Sequence, residues 1–239
     1  MRTATFRKQM RLEVEEICKT MNWDFKNEKQ RGMGFENWCF ELFNQTYNES
    51  ENRPDDCILR NDDFKVDIFF PSKEFSEIFL IQCKYKNIGQ TPPIKCDEVE
   101  TFFHHYEYFA GHKKYDRNAI TNPRVDLLFN EFKTYRKERF RVYFIFITTE
   151  ISGEKDQAIQ ASFQGKYQND NVNFEIWDPS RLTKEYVKLK SVEESYPDDI
   201  SFTLGDDKFL YVDGPEKHLT FVLPGNSIQQ TYIQHRHSL

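Results

Sequence analysis

Apolar positions recur along this chain with two different periods, and each change of period marks a change of element. Residues 4–20 carry an amphipathic helical pattern, anchored at its end by Trp23 and Phe25, and a short charged break from Lys26 to Gly34 follows. From Phe35 to Asn44 the apolar residues Phe35, Trp38, Cys39, Leu42 and Phe43 fall at i, i+3, i+4, i+7 and i+8, the spacing of a helix with one face in a core. After the polar stretch NESENRPDD the period drops to two. FKVDIFF (64–70) and IFLIQCKY (78–85) read as two strands of a hairpin or meander joined by a Pro-Ser-Lys-Glu turn. Helical patterns return at about 95–110 and about 123–137. FRVYFIFIT (140–148) is apolar without alternation, as expected of a strand covered on both faces. A helix over 153–166, a strand over 171–178 and a helix over 179–190 complete the alternation. The expected fold class is therefore α/β, a central sheet with helices on both faces.

Beyond about residue 195 the texture changes. SFTLGDDKFLYV places a Gly-Asp-Asp turn between two short β runs and KHLTFVLP adds a third, so a small C-terminal β meander is expected. The last segment, SIQQTYIQHRHSL, reads as a helix with no stop signal, which suggests a chain cut before its natural end. The organisation expected is an N-terminal helical extension over 1–30, an α/β domain over 31–190, and the meander with the start of a helical region over 191–239. There is no internal repeat.

Composition narrows the class. With 23 Phe and 12 Tyr in 239 residues, the chain has enough large apolar side chains to offset the cost of ordering. A net charge of −6 excludes a globally basic nucleic-acid coat but leaves room for a local groove. Residues 111–141 hold nine Lys/Arg against four Asp/Glu, a local +5, and Lys113, Lys114, Arg117 and Arg124 are the candidates for phosphate contacts. The run 191–216 is locally −7, from eight acids and one Lys, and reads as a solubilising face on the meander. No apolar run approaches 18 residues and the N-terminus lacks a signal-peptide core, so neither a membrane partner nor secretion is expected. Cys18, Cys39, Cys57, Cys83 and Cys96 form an odd set without a CxxC pair, as expected of reduced cytoplasmic thiols. His104, His105, His235 and His237 have no metal-ligand spacing and read as surface or packing residues.

The chemistry concentrates where polar groups interrupt the two short strands. Period-two reading puts Ile78, Leu80, Gln82 and Lys84 on one face and Phe79, Ile81, Cys83 and Tyr85 on the other; in the first strand Lys65, Asp67 and Phe69 share a face. One pairing register sets Asp67 beside Gln82 and Lys84. Burying a carboxylate, an amide and an ammonium without partners costs several kcal/mol, so a metal or an anionic substrate is expected to complete the site. A cross-strand Asp67–Lys84 ion pair is the plain alternative. At about 100° per residue, Glu36 lies at the margin of the preceding helix's apolar stripe while Glu41 lies well round on the solvated side, which makes Glu36 the helical candidate.

The order Gly34-Phe35-Glu36, Val66-Asp67, Gln82-Cys83-Lys84 resembles the PD-(D/E)XK nuclease superfamily, and within it the Mrr-like branch, over about residues 31–178. More narrowly, LIQCKY and LPGNSIQQTY resemble the N-terminal part of AIPR-type abortive-infection, phage-resistance proteins, which continue beyond the point where this chain ends. The resemblance implies a restriction-endonuclease-like αβββαβ core with a mixed sheet, and a Mg²⁺-dependent endonuclease, with Mn²⁺ as an alternative ion. It further implies Asp67 as primary metal ligand, Gln82 in the place more often held by Glu, and the Cys83 carbonyl and Glu36 as further ligands. Lys84 is implied as the group that orients or deprotonates the attacking water. The Gln-for-Glu exchange removes one negative charge. Tyr85 and Lys86, next to the site, are candidate nucleic-acid contacts, with DNA favoured over RNA by analogy. The setting implied is a bacterial cytoplasm, with access controlled by further C-terminal segments or a homo-oligomeric partner. The reading from another class is a catalytically silent nuclease-like module that binds nucleic acid or a protein.

Overall fold

The computed structural model describes residues 3–47, 49, 51–59, 65–86, 93–114, 124–195, 209–212 and 218–221. They fall into two units, residues 1–186 and 187–239. The first holds helices α1 (Thr3–Thr20), α2 (Glu28–Tyr47) and α3 (Pro54–Cys57), then strands β1 (Ile68–Ser72) and β2 (Glu77–Lys84). Helices α4 (Cys96–His104), α5 (Tyr106–Phe109) and α6 (Arg124–Lys137) lead to β3 (Arg141–Thr148), α7 (Glu154–Lys166) and β4 (Val172–Trp177), and α8 (Pro179–Ser195) runs across the boundary.

The sheet runs β1-β2-β3-β4. β1 and β2 are antiparallel, with Ile68 opposite Ile81 and Phe70 opposite Phe79; β2–β3 and β3–β4 are parallel, with Leu80, Phe144 and Phe174 abreast. This is the expected α/β fold with a mixed sheet flanked by helices. Of the three strands expected between the first core helix and the next, the first is reduced to a single antiparallel bridge, Ile58 to Ile68. In the second unit β5 (Phe209–Val212) pairs antiparallel with β6 (His218–Phe221), the second and third runs of the expected meander; the first run, 201–204, lies outside the described residues.

The pleat assigns each helix to a layer. Phe79 of β2 and Tyr85, just past its end, meet α2, through Phe43 at 5.2 Å and Phe35 at 5.3 Å between ring centroids. Ile78 and Leu80, on the other face, join Val99 and Phe102 of α4, Phe132 of α6 and Phe163 of α7 in one buried cluster. β3 is covered on both sides: Tyr143 stacks on Phe79, while Phe144 and Phe146 face Phe102.

Several boundaries differ from those expected, each for a local reason. The second helix starts at Glu28, so the charged stretch read as a break is its first two turns. Gly34 lies there because α1 passes close: a Cβ on it would stand 2.5 Å from Cys18 Sγ and 3.3 Å from a Val14 methyl. Gly34→Ala is therefore expected to lower stability by about 1–3 kcal/mol through overpacking, even though alanine is favoured over glycine in a helix by about 1 kcal/mol. Adding Cys18→Ala should recover part of that loss in urea unfolding, a coupling that two independent sites would not show. The hairpin turn falls at Lys73–Ser76, two residues later than read, with Ser76 at φ 54° absorbing the reversal. The helix expected over 95–110 breaks at His105 into α4 and α5.

Candidate active site

Asp67 sits where β1 leaves the ladder. Its N–H donates to the Ile81 carbonyl and its own carbonyl accepts from Leu59 N–H, both at 2.8 Å. Its carboxylate Oδ2 accepts the Cys83 N–H at 2.6 Å. The side chain thus substitutes for a strand carbonyl, and it brings a negative charge to the β2 backbone between Gln82 and Lys84. Two residues earlier Lys65 adopts φ 52°, a left-handed conformation that costs a non-glycine residue of order 1 kcal/mol.

Gln82 and Lys84 face the α4 side. Together with Lys65 and with Asp97, Glu98 and Thr101 of α4 they line a cavity of about 210 Å³. Gln82 is only 2 % exposed, and its carboxamide makes no hydrogen bond among the described residues. Lys84 is half-buried and makes no ion pair among them, so the cross-strand pair with Asp67 is not formed. The Gln82 amide is therefore open to a ligand or to water in the cavity rather than committed to the protein. This is the C-terminal end of a parallel strand beside the first turn of a helix, the position where open α/β sheets bind ligands.

The other candidates are distributed differently. Glu36 is on α2 and therefore on the opposite face of the sheet, with the Cys83 thiol; it does not line the cavity with Gln82 and Lys84. The thiol of Cys83 is pushed well up, first by burial, then by its hydrogen bond with Cys39 and by the charges of Asp67 and Glu36. The sequence places Glu36 at a helix margin, but which face of the sheet that helix covers is set by the ring contacts of Phe35 and Phe43. Cys83 itself is a ladder residue in register with Ile147. Tyr85 is 8 % exposed, edge-on to Phe35 and Phe25 and with the Arg31 guanidinium 5.6 Å from its ring centre, so its ring is engaged in packing rather than offered to a base. Lys86 is held through its backbone: its N–H donates to Thr149 Oγ1 at 2.8 Å and its carbonyl accepts from the same hydroxyl at 3.0 Å.

The basic segment does not form an open row of cations. Lys113 is paired with Glu107, whose carboxylate also accepts from Lys166 Nζ and Tyr167 Oη at 2.8 Å. Arg124 donates to the Ile58 carbonyl at 3.2 Å and lines a separate 260 Å³ cavity with Asp56 and Glu131. Lys114 is exposed, and Arg117 lies outside the described residues. His104 and His105 engage their own surroundings, Glu107 and the Thr101 carbonyl, as expected of packing residues; His235 and His237 lie outside the described residues.

The Glu107 cluster has its own consequence. Hydrogen bonds from Lys113, then Lys166, hold its carboxyl down to about 2. A carboxyl whose folded value is depressed stabilises the fold above its ordinary value near 4.5 and loses that contribution as pH falls toward 2. Urea midpoints measured between pH 5 and pH 2.5 should fall less steeply for Glu107→Gln than for the native chain.

Asp97, Glu98, Thr101 and Lys65 were not singled out from sequence. The available signal was position: two acids in the first turn of the helix that follows the Gln-x-Lys strand. Near them Glu150, buried after β3, has its carboxyl pushed up, first by burial and further by Glu98, while Lys86 opposes the shift. Among the described residues no three or more His, Cys, Asp or Glu side chains form a metal-holding group. A cation at this cavity would draw on the Gln82 amide oxygen and the Thr101 hydroxyl as well as on carboxylates. Such an all-oxygen set suits a hard divalent ion.

No helix among the described residues is long and apolar enough to cross a membrane. Comparison of the chain with family models, with curated proteins and with solved structures finds no match.

Proposed function

We propose that this chain is a Mg²⁺-dependent nuclease of the PD-(D/E)XK type, acting on DNA in a bacterial cytoplasm as part of an AIPR-like phage-defence protein. The observation that carries the reading is the hydrogen bond from Cys83 N–H to the Asp67 carboxylate. It holds that carboxylate beside the strand from which Gln82 and Lys84 enter a polar cavity. A phosphodiester needs an electrophile on a non-bridging oxygen, a water in line with the leaving group, and a cation where charge develops. Mg²⁺ (or Mn²⁺), when bound, supplies the first of these. Asp67 and Gln82 would offer it oxygens. The Lys84 ammonium would orient the attacking water and offset the growing negative charge, and Lys65 and Thr101 would donate to phosphate oxygens at the cavity wall. Neither Glu36 nor Asp67 lines the cavity; Asp67 is kept in this set because its carboxylate is fixed on the β2 backbone between Gln82 and Lys84, and Glu36 is left out because α2 packs on the far face of the sheet.

A second reading, a catalytically silent module that binds nucleic acid or a protein partner, is favoured by the same hydrogen bond seen differently: a carboxylate that caps a strand N–H has a structural reason to be there. The two separate in one experiment. Supercoiled plasmid, single-stranded DNA and RNA are incubated with the chain and Mg²⁺ or Mn²⁺, alongside calorimetric titration of the ion. Metal-dependent cutting that Lys84→Ala removes supports the nuclease; binding of nucleic acid without cutting, unchanged by that substitution, supports the module.

A further inference from the structure

We infer that Glu98, from the first turn of α4, supplies the second carboxylate of the cation site, in place of the strand carboxylate that Gln82 replaces. The inference rests on the nuclease reading above and specifies the ligand set of that site. Three observations carry it. Gln82 is 2 % exposed, lines the cavity, and has no protein hydrogen-bond partner among the described residues, so its amide is available to a ligand or water there. Glu98 lines the same cavity, with its side chain 29 % exposed and a long 3.9 Å ion pair to the largely exposed Lys95. And the cavity holds about 210 Å³, which leaves room for a divalent ion that keeps several waters.

Charge explains why a second carboxylate is wanted. With Gln82 in place of an acid, Asp67 alone cannot neutralise a divalent ion, and Lys84 and Lys65 add positive charge at the same wall. An acid from α4 restores the balance from the face where Gln82 and Lys84 already are. Asp97, next to it on the exposed side of α4, is the weaker candidate because it is open to solvent.

The test uses Mn²⁺ itself as the probe of the full 239-residue chain. In calorimetry Glu98→Gln is expected to weaken Mn²⁺ binding at least about tenfold, the scale of losing one ligating group. The double variant Glu98→Gln/Gln82→Glu should regain most of it by returning the carboxylate to the strand. On the unmodified chain Mn²⁺ should broaden the amide resonances of Glu98 and Thr101 before those of Glu36, a measurement that does not depend on any variant folding. Unchanged Mn²⁺ affinity in Glu98→Gln, or broadening centred on Glu36, overturns the assignment while leaving the nuclease reading intact. No Mn²⁺ binding by the unmodified chain overturns both.

Discussion

Lys84→Ala is expected to reduce metal-dependent phosphodiester cleavage by about 10²–10⁴-fold while the chain stays folded. The size follows from the role proposed for the ammonium: one positioned proton-transfer or charge-stabilising group contributes about 10²–10⁴ in rate. Retention of the fold follows from where it sits. The side chain is half-buried at the mouth of a polar cavity and makes no ion pair among the described residues, so its removal leaves no buried partner unsatisfied. Asp67 needs a subtler substitution, because its Oδ2 accepts the Cys83 N–H at 2.6 Å and alanine would orphan that donor. Asp67→Asn keeps an oxygen for the bond and removes only the charge. Loss of Mg²⁺ binding and of cleavage in Asp67→Asn, with the melting temperature preserved, identifies a ligand; a full complement of activity in the same variant reduces Asp67 to a strand cap.

The largest effect on stability is expected from Phe144→Ala, about 3–5 kcal/mol. Phe144 is fully buried in the central strand β3 and meets Phe102 at 5.4 Å, Tyr106 at 5.6 Å, Phe109 at 5.8 Å and Phe174 at 5.9 Å between ring centroids. Those partners come from α4, α5 and β4, so one truncation opens a cavity where four elements meet and rigid neighbours limit its collapse. A loss of that size is comparable with the whole stability of many domains, and the variant should unfold at much lower urea. Phe75→Ala removes the same ring at a site 54 % exposed in the β1–β2 turn, and its effect should stay near 0.5 kcal/mol. Equal losses at the two positions would show that ring area rather than enclosure sets the cost.

Strands and helices were legible because each side chain's neighbours within one element are fixed by the period. The continuous apolar run at 140–148, rich in aromatic and β-branched residues, read as a strand buried on both faces, and β3 lies inside the sheet. The alternation around Gln82 and Lys84 put both on one face, and the structure gives them one cavity. What failed were features that depend on a second element. The glycines at 32 and 34 read as a break, yet Gly34 permits the close approach of α1, a contact invisible from its own neighbours. Tyr85 read either as a ring to stack on a base or as a packing residue, and Phe25 and Phe35, from other segments, close over it.

By itself, then, the order of residues determined the α/β class, the pleat of β2 and the polar groups that interrupt it, because local periodicity is a property of the backbone geometry. Only the tertiary structure decided which helix looks onto that face. The aromatic contacts of α2 committed Glu36 to the Cys83 side and left α4 to bring Asp97 and Glu98 to Gln82. A helix's own pattern says which of its residues face the sheet; which side of the sheet it covers is settled by long-range packing that no single segment encodes.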